Sequence, residues 1–265
     1  MKTIKILIAA IFIFQVNMAF SQGAKKFEID VKNIEISKLE LISLAGNVTI
    51  IANSSSKIVI EVRGLEPKPE RAEGLKRVGA GGEDNTGVGL SYNKSENTYT
   101  FVGAISLSSD ADYKISVPKS LKVYVALGMF NSGDLEITGL NSDIELDVKN
   151  SDIKLRDITG PTVISSLSGD IDAIFSKVNQ SSPFSIKAIS GDIDISLPTN
   201  TPANLELSSM SGGIYTDFAI EPEKKGDEDL PYIGGGYKVS TKINGGGVKI
   251  LMRAISGNIY LRKKK

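Results

Sequence analysis

The sequence predicts an all-β protein, a single-stranded parallel β-helix of right-handed sense with about 20 residues per coil. Three observations carry that prediction. One turn-strand unit recurs nine times, its spacing falls into a short period and the approximate double of it, and no stretch of useful length has helical periodicity. The unit is a small residue, then Gly or Ser, then Asp, Asn or Gly, then an aliphatic-x-aliphatic alternation. It occurs at 45–50 (AGNVTI), 132–137 (SGDLEI), 141–146 (NSDIEL), 150–155 (NSDIKL), 168–173 (SGDIDA), 190–195 (SGDIDI), 211–216 (SGGIYT), 245–250 (GGGVKI) and 256–261 (SGNIYL).

Both halves of the unit have a physical role. Glycine supplies positive φ at a sharp corner, and an adjacent Asp or Asn can fold onto backbone nearby, so S-G-D and S-G-N read as corners. The alternation that follows has period two, which sends Ile153 and Leu155 inward and Lys154 to solvent. Asp134, Asp143 and Asp152 follow one another at 9 residues, Asp152 to Asp170 is 18, and Asp170 to Asp192 is 22. A corner every half coil and then every full coil fits a solenoid, in which equivalent strands stack about 4.8 Å apart. A meandering sandwich or roll also yields short strands at such intervals, although its hairpins have no need of identical corners.

From the N-terminus, Lys2 and Lys5 precede an apolar run at 6–14, and small residues flank position 20, as in a secretory signal cut after Ser21. The run is too short to span a bilayer, which takes about 20 residues. Residues 22–265 then read as a single β-solenoid domain with no further membrane span. Residues 27–44 and 57–63 alternate as early coils or a cap. Glycine and proline break the pattern at about 64–100, the first excursion, and strands resume at 99–102, 113–117 and 121–127. A second, acidic excursion covers 219–237, and the chain closes on Arg262, Lys263, Lys264 and Lys265.

Composition narrows the chemistry. The 265 residues include no cysteine, histidine or tryptophan, which removes disulfides, thiol nucleophiles, thiolate metal sites and imidazole bases. Without Lys2 and Lys5, the 31 basic residues become 29 against 31 acidic ones, a net charge of −2. That balance offers nucleic acid no electrostatic footing. The expected location is outside the cytoplasm: periplasm, outer surface or extracellular.

The order Y-K-I-S-V-P at 113–118, repeated S-G-D-I-x-I units, I-N-G-G-G at 243–247 and S-G-N-I-Y-L-R at 256–262 resembles the bacterial putative-adhesin family, some of whose members are auto-transporter-like adhesin heads. The resemblance runs from about Leu44 to Arg262. It implies a secreted or envelope-associated binding protein with no enzymatic activity, whose partner is a surface glycan or a protein, and it supplies no catalytic residue.

Three groups of residues invite chemistry. Asp134, Asp143, Asp152, Asp170 and Asp192 can align in one or two ladders, and oxygen ladders hold calcium. The nonapeptide repeat of calcium-binding solenoids is absent, however, and turn chemistry has each Asp capping its own turn. Asp172 and Asp194 join Asp170 and Asp192 in i, i+2 carboxylate pairs of the kind that glycoside hydrolysis uses, which makes a carbohydrate-active enzyme the main alternative. An envelope-stress or structural module is a further one. A solvated charged face is the simpler account of the carboxylates, so no catalytic residue, metal or cofactor is assigned. Tyr215 and Tyr260 occupy the same outward repeat position, and aromatic faces of this kind dock sugars and peptides. The expected binding residues are thus Tyr215, Tyr260, Asp172 and Asp194.

Overall fold

The structure, a computed structural model, describes residues 23–65, 69–76, 78–79, 81–104, 111–131, 133–220 and 236–265. The expected signal segment 1–21 and most of the second excursion, 221–235, lie outside the described residues.

Among the described residues the chain forms strands and two 3₁₀ turns, Ile34–Ile36 and Glu70–Ala72, and no α-helix. The strands are β1 (Lys25–Asp30), β2 (Lys38–Ile42), β3 (Asn47–Asn53), β4 (Lys57–Arg63), β5 (Val78–Gly79), β6 (Gly82–Glu83), β7 (Leu90–Ser95) and β8 (Thr98–Gly103). There follow β9 (Asp112–Pro118), β10 (Lys122–Leu127), β11 (Leu135–Thr138), β12 (Ile144–Val148), β13 (Ile153–Ile158), β14 (Thr162–Ser168) and β15 (Ile171–Phe175). The chain ends with β16 (Phe184–Ser190), β17 (Ile193–Leu197), β18 (Ala203–Ser209), β19 (Ile214–Thr216), β20 (Tyr237–Ile243), β21 (Val248–Ser256) and β22 (Ile259–Lys263).

All but β5 and β6 belong to two ten-stranded sheets. Sheet A runs β1-β4-β9-β3-β11-β13-β15-β17-β22-β19, and sheet B runs β20-β18-β21-β16-β14-β12-β10-β2-β8-β7. From β10 to β19 the chain crosses from one sheet to the other at every corner, so a coil lays one strand in each. Equivalent residues stack in rows: Leu135, Ile153, Ile171, Ile193, Ile259 and Ile214 in sheet A, and Val125, Leu146, Ile164, Ile186, Met252 and Leu207 in sheet B.

The purely parallel, single-stranded helix expected from the repeats is corrected here. The inner pairings are parallel, but both sheets are mixed, with antiparallel pairs β1/β4, β4/β9, β7/β8 and β18/β20 near their ends. A parallel stack ends in a row of open backbone donors and acceptors, which a hairpin covers at β7/β8 and strands more distant in the chain cover at the other three pairs. Coil order also departs from chain order. The last two strands, β21 and β22, insert between β16/β17 and β18/β19, while β2/β3 sit between β8/β9 and β10/β11.

The inward rows of the two sheets meet in one core. Leu39, Ile50, Leu155, Ile193 and Leu261 have no exposed surface, and burying an aliphatic side chain of that size contributes about 1.5–3 kcal/mol. The Phe175 and Phe184 rings pack with centroids 4.9 Å apart where sheets A and B turn into each other. At the N-terminal end, Phe27 of β1 packs on Tyr92 and Phe101 at 5.7 and 5.8 Å, tying the cap to the first coils.

The corners behave differently from the expectation that each Asp caps its own turn. The Asp152 carboxylate accepts the backbone N–H of Asp170 at 2.9 Å, Asp170 accepts that of Asp192 at 2.8 Å, and Asp192 accepts that of Asn258 at 2.7 Å. Asn47 and Asn258 do the same for Asp134 and Gly213 at 3.0 and 2.9 Å. Each side chain therefore caps the next coil. A corner N–H in a stacked coil lies over the coil beneath, where a short carboxylate or amide reaches it directly. Asp143 belongs to the opposite corner, beside Lys122 at 3.3 Å. Glycine is required at the same corners by close approach: a Cβ on Gly191 would stand 2.2 Å from the Gly169 carbonyl oxygen, and one on Gly257 2.0 Å from that of Gly191.

Candidate functional site

The outward face of sheet A carries a row of the side chains that lie between the two aliphatics of each unit. In register it reads Thr49, Glu136, Lys154, Asp172, Asp194, Tyr260 and Tyr215. All four residues expected for binding fall in this row, side by side in the order Asp172, Asp194, Tyr260, Tyr215. The insertion of β22 is the cause. Chain order would set Tyr215 against Asp194, whereas β22 places Tyr260 between them.

The two tyrosines stack with centroids 5.3 Å apart and planes 16° from parallel. Tyr215 lies on the last strand of sheet A and is 55% exposed. Tyr260 carries a second support, the Arg262 guanidinium at 5.2 Å from its ring. Cation–π contact and ring stacking together hold two large side chains in fixed orientation at a solvent surface.

The two aspartates are engaged differently from the tyrosines. Asp172 accepts Nη1 and Nη2 of Arg156 at 3.0 and 2.6 Å. Asp194 accepts Nε of Arg262 through both oxygens at 2.8 and 2.9 Å. Facing carboxylates on adjacent strands repel, and the arginine placed two residues along the neighbouring strand relieves each of them. Hydrogen bonding and charge from Asp194 push the Arg262 guanidinium further toward its protonated form. In the same way, Asp134 raises the pKa of Lys154, which it meets at 2.9 Å.

Beside the tyrosine stack is an open hollow of about 610 Å³. Its walls include Tyr215, Tyr260, Ser196, Asp217 and Arg262, with Ile174 as an apolar floor. Asp217 accepts the backbone N–H of Lys263 at 2.8 Å, which fixes the turn after β19 against β22. A ring-shaped polar ligand lying on the Tyr215 face would find carboxylate, hydroxyl and cationic groups around its edge. The described residues contain no cluster of three or more acidic side chains arranged to hold a metal.

Arg156, Arg262, Ser196 and Asp217 were absent from the expected set. Arg262 was within reach, because period two puts it on the same face as Tyr260 in β22. Ser196 and Asp217 were not, since their nearness follows from the stacking order of β17, β22 and β19.

A family model described as Toastrack DUF4097 matches residues 129–262. No curated protein matches the chain. Among solved structures it is similar to a putative cell adhesion protein from Clostridium sporogenes, at 13% identity over 91% of this chain and 99% of that one, with a TM-score of 0.46. A putative adhesin from Bacteroides fragilis shares 12% identity over 91% and 98% of the two chains, with a TM-score of 0.33. A putative lipid binding protein from Parabacteroides distasonis shares 13% over 92% and 98%, with a TM-score of 0.41.

Proposed function

This chain belongs to the Toastrack DUF4097 family, and from that premise we propose that it is an exported, adhesin-like binding protein with no enzymatic activity. Residues 1–21 act as its signal segment and residues 22–265 as a single solenoid domain, in right-handed coils of about 20 residues. Its place is the cell envelope or the exterior. No helix among the described residues is long and apolar enough to cross a membrane.

The observation that carries the reading is the Tyr215–Tyr260 stack at the rim of a hollow, braced by Arg262 on Asp194. Preorganised aromatic faces lower the ordering cost of binding and suit the apolar face of a sugar ring or an extended peptide. A surface glycan is the preferred partner, since Asp217, Ser196 and Arg262 ring the stack with groups that match hydroxyls. The arginine bonds on Asp172 and Asp194 support the non-enzymatic reading, because a glycosidase carboxylate has to face the scissile bond.

The test is a glycan array followed by titration of the best hit against the chain and its Tyr215→Ala and Tyr260→Ala variants. Binding that both variants weaken at least tenfold supports the reading. Cleavage of a polysaccharide that Asp172→Asn or Asp194→Asn abolishes replaces it with an enzyme.

A further inference from the structure

The outward face of sheet B, away from the tyrosine site, presents like charges that no ion pair among the described residues joins to a carboxylate. Lys187 of β16 and Arg253 of β21 stand directly opposite each other in parallel register, and both are exposed. Like charges in that position destabilise a sheet. Elsewhere the same conflict is resolved: Lys38 faces Lys122, but Lys38 meets Glu40 at 3.2 Å and Lys122 meets Asp143 at 3.3 Å. Asp172 faces Asp194, and each has its arginine. Among the described residues no carboxylate lies within ion-pair distance of Lys187 or Arg253. Glu206, one strand over on β18, bonds to Lys249 at 2.9 Å, and its charge acts on Arg253 and Lys238 only from beyond ion-pair distance. A third exposed cation, Lys238 of β20, continues the row past Ser208.

Two residues further along the same strands, on the same face, is a row of exposed aliphatic side chains. Ile189 and Ile255 face each other and are 48% and 41% exposed. Met210, set beside Ile255 by its N–H bond to the Ala254 carbonyl at 3.2 Å, is 56% exposed. Val163, at 44%, lies on β14 on the other side of the cation row, in register with Ser185. Contiguous exposed aliphatics on a soluble surface mark an interaction site. The strands that carry this face are parallel except for β20, and the hollow described above lies on sheet A, so the geometry of this face fits an extended surface better than a small ligand.

We infer that this face docks on an anionic lipid surface. Ile189, Ile255 and Met210 enter the boundary between headgroups and acyl chains, while Lys187, Arg253 and Lys238 extend to lipid phosphates. The charge complementarity commits the occupant, because facing cations without an ion-pair partner gain most where fixed negative charge is dense and within a Debye length. The inference stands apart from the glycan reading, since it uses the opposite sheet.

The test uses the full chain with vesicles of phosphatidylcholine alone or mixed equally with phosphatidylglycerol. The apolar stretch at 6–14 is common to every variant and contributes equally to all. Wild type is expected to partition at least tenfold more strongly to the anionic vesicles, and Lys187→Glu/Arg253→Glu to lose that preference. Lys187→Gln/Arg253→Gln should lose part of it, and Lys32→Glu/Lys119→Glu, with the same change in net charge, should keep it. Because the chain has no tryptophan, Ile189→Trp provides a reporter whose emission shifts to the blue on anionic vesicles, while Tyr215→Trp on the other sheet does not shift. Anionic-vesicle binding that survives Lys187→Glu/Arg253→Glu, or is equally lost in Lys32→Glu/Lys119→Glu, overturns the inference. So does a concentration-dependent dimer, without vesicle binding, that Ile189→Ser/Ile255→Ser abolishes, which would make the face a contact between two copies.

Discussion

The Asp192 carboxylate accepts the backbone N–H of Asn258 at 2.7 Å, and this bond joins β17's corner to β22's, two coils that are distant in sequence and adjacent in space. It is one rung of a ladder in which Asp or Asn of one coil caps the corner of the next. The ladder accounts for the recurrence of a short oxygen-bearing side chain at that position without reference to any bound ion.

Replacing Asp192 with Ala should therefore cost about 1–3 kcal/mol, the usual range for a hydrogen bond to a charged group. Asp192→Asn keeps an acceptor oxygen and should cost clearly less. Chemical denaturation of both variants checks the order. Equal losses would mean that charge rather than the bond matters at this corner.

Asp170 stands between Asp152 and Asp192 in the ladder, one strand from each. Asp170→Asn removes like-charge repulsion and retains the acceptor for the Asp192 N–H. Its melting temperature should equal or exceed that of the wild type at low salt, with the difference shrinking as salt screens the carboxylates. A drop at low salt would show that the negative charge is itself stabilising.

Gly191 and Gly245 separate two roles of glycine. Both have positive φ, +126° and +84°, but a Cβ on Gly191 meets the Gly169 carbonyl at 2.2 Å, and one on Gly245 meets open space. Gly245→Ala should cost only the left-handed backbone, about 1 kcal/mol. Gly191→Ala should also force two coils apart and cost on the order of 3 kcal/mol or more. Similar destabilisation of the two variants in urea melts would contradict the stacking account.

Glu206 on β18 bonds to Lys249 on β21 at 2.9 Å, which holds its carboxyl below the ordinary value of 4.5. A folded-state pKa lowered in this way contributes stability that is present above the unfolded value and lost as pH falls through the folded one. Wild type should thus melt slightly higher than Glu206→Gln at neutral pH, the difference being small for an exposed pair. The two curves should converge as pH falls through and below that lowered pKa. Melting curves collected across that range decide it, and a gap that persists in acid would point to a role for Glu206 other than the ion pair.

Arg262 supports Tyr260 and occupies Asp194 at once. Arg262→Lys preserves charge but loses the Nε–H held by Asp194 and the planar guanidinium over Tyr260, so it should weaken binding to a tyrosine-dependent ligand severalfold while leaving the fold intact. Titration alongside Tyr260→Ala measures this. An unchanged affinity would remove Arg262 from the site.

Much of the architecture was legible along the chain because its causes are local. Period-two alternation identifies Ile153, Leu155, Ile171 and Ile193 as inward and Tyr215 and Tyr260 as outward, and the structure places each accordingly. S-G-D corners mark where strands begin. The absence of cysteine and histidine limits the chemistry whatever the fold.

What the chain alone did not determine is which coil lies on which. Every parallel edge in a solenoid offers the same ladder of donors and acceptors and the same aliphatic row, so local pattern does not distinguish stacking in chain order from insertion of β21 and β22 before β18 and β19. The tertiary structure makes that choice, and from it follow the Tyr215–Tyr260 stack, the Arg262–Asp194 ion pair, the Asp192–Asn258 rung and the facing of Lys187 with Arg253. Sequence set the type of every surface row; long-range packing set which residues are neighbours within it, because the energy that orders the coils comes from contacts between segments far apart in the chain.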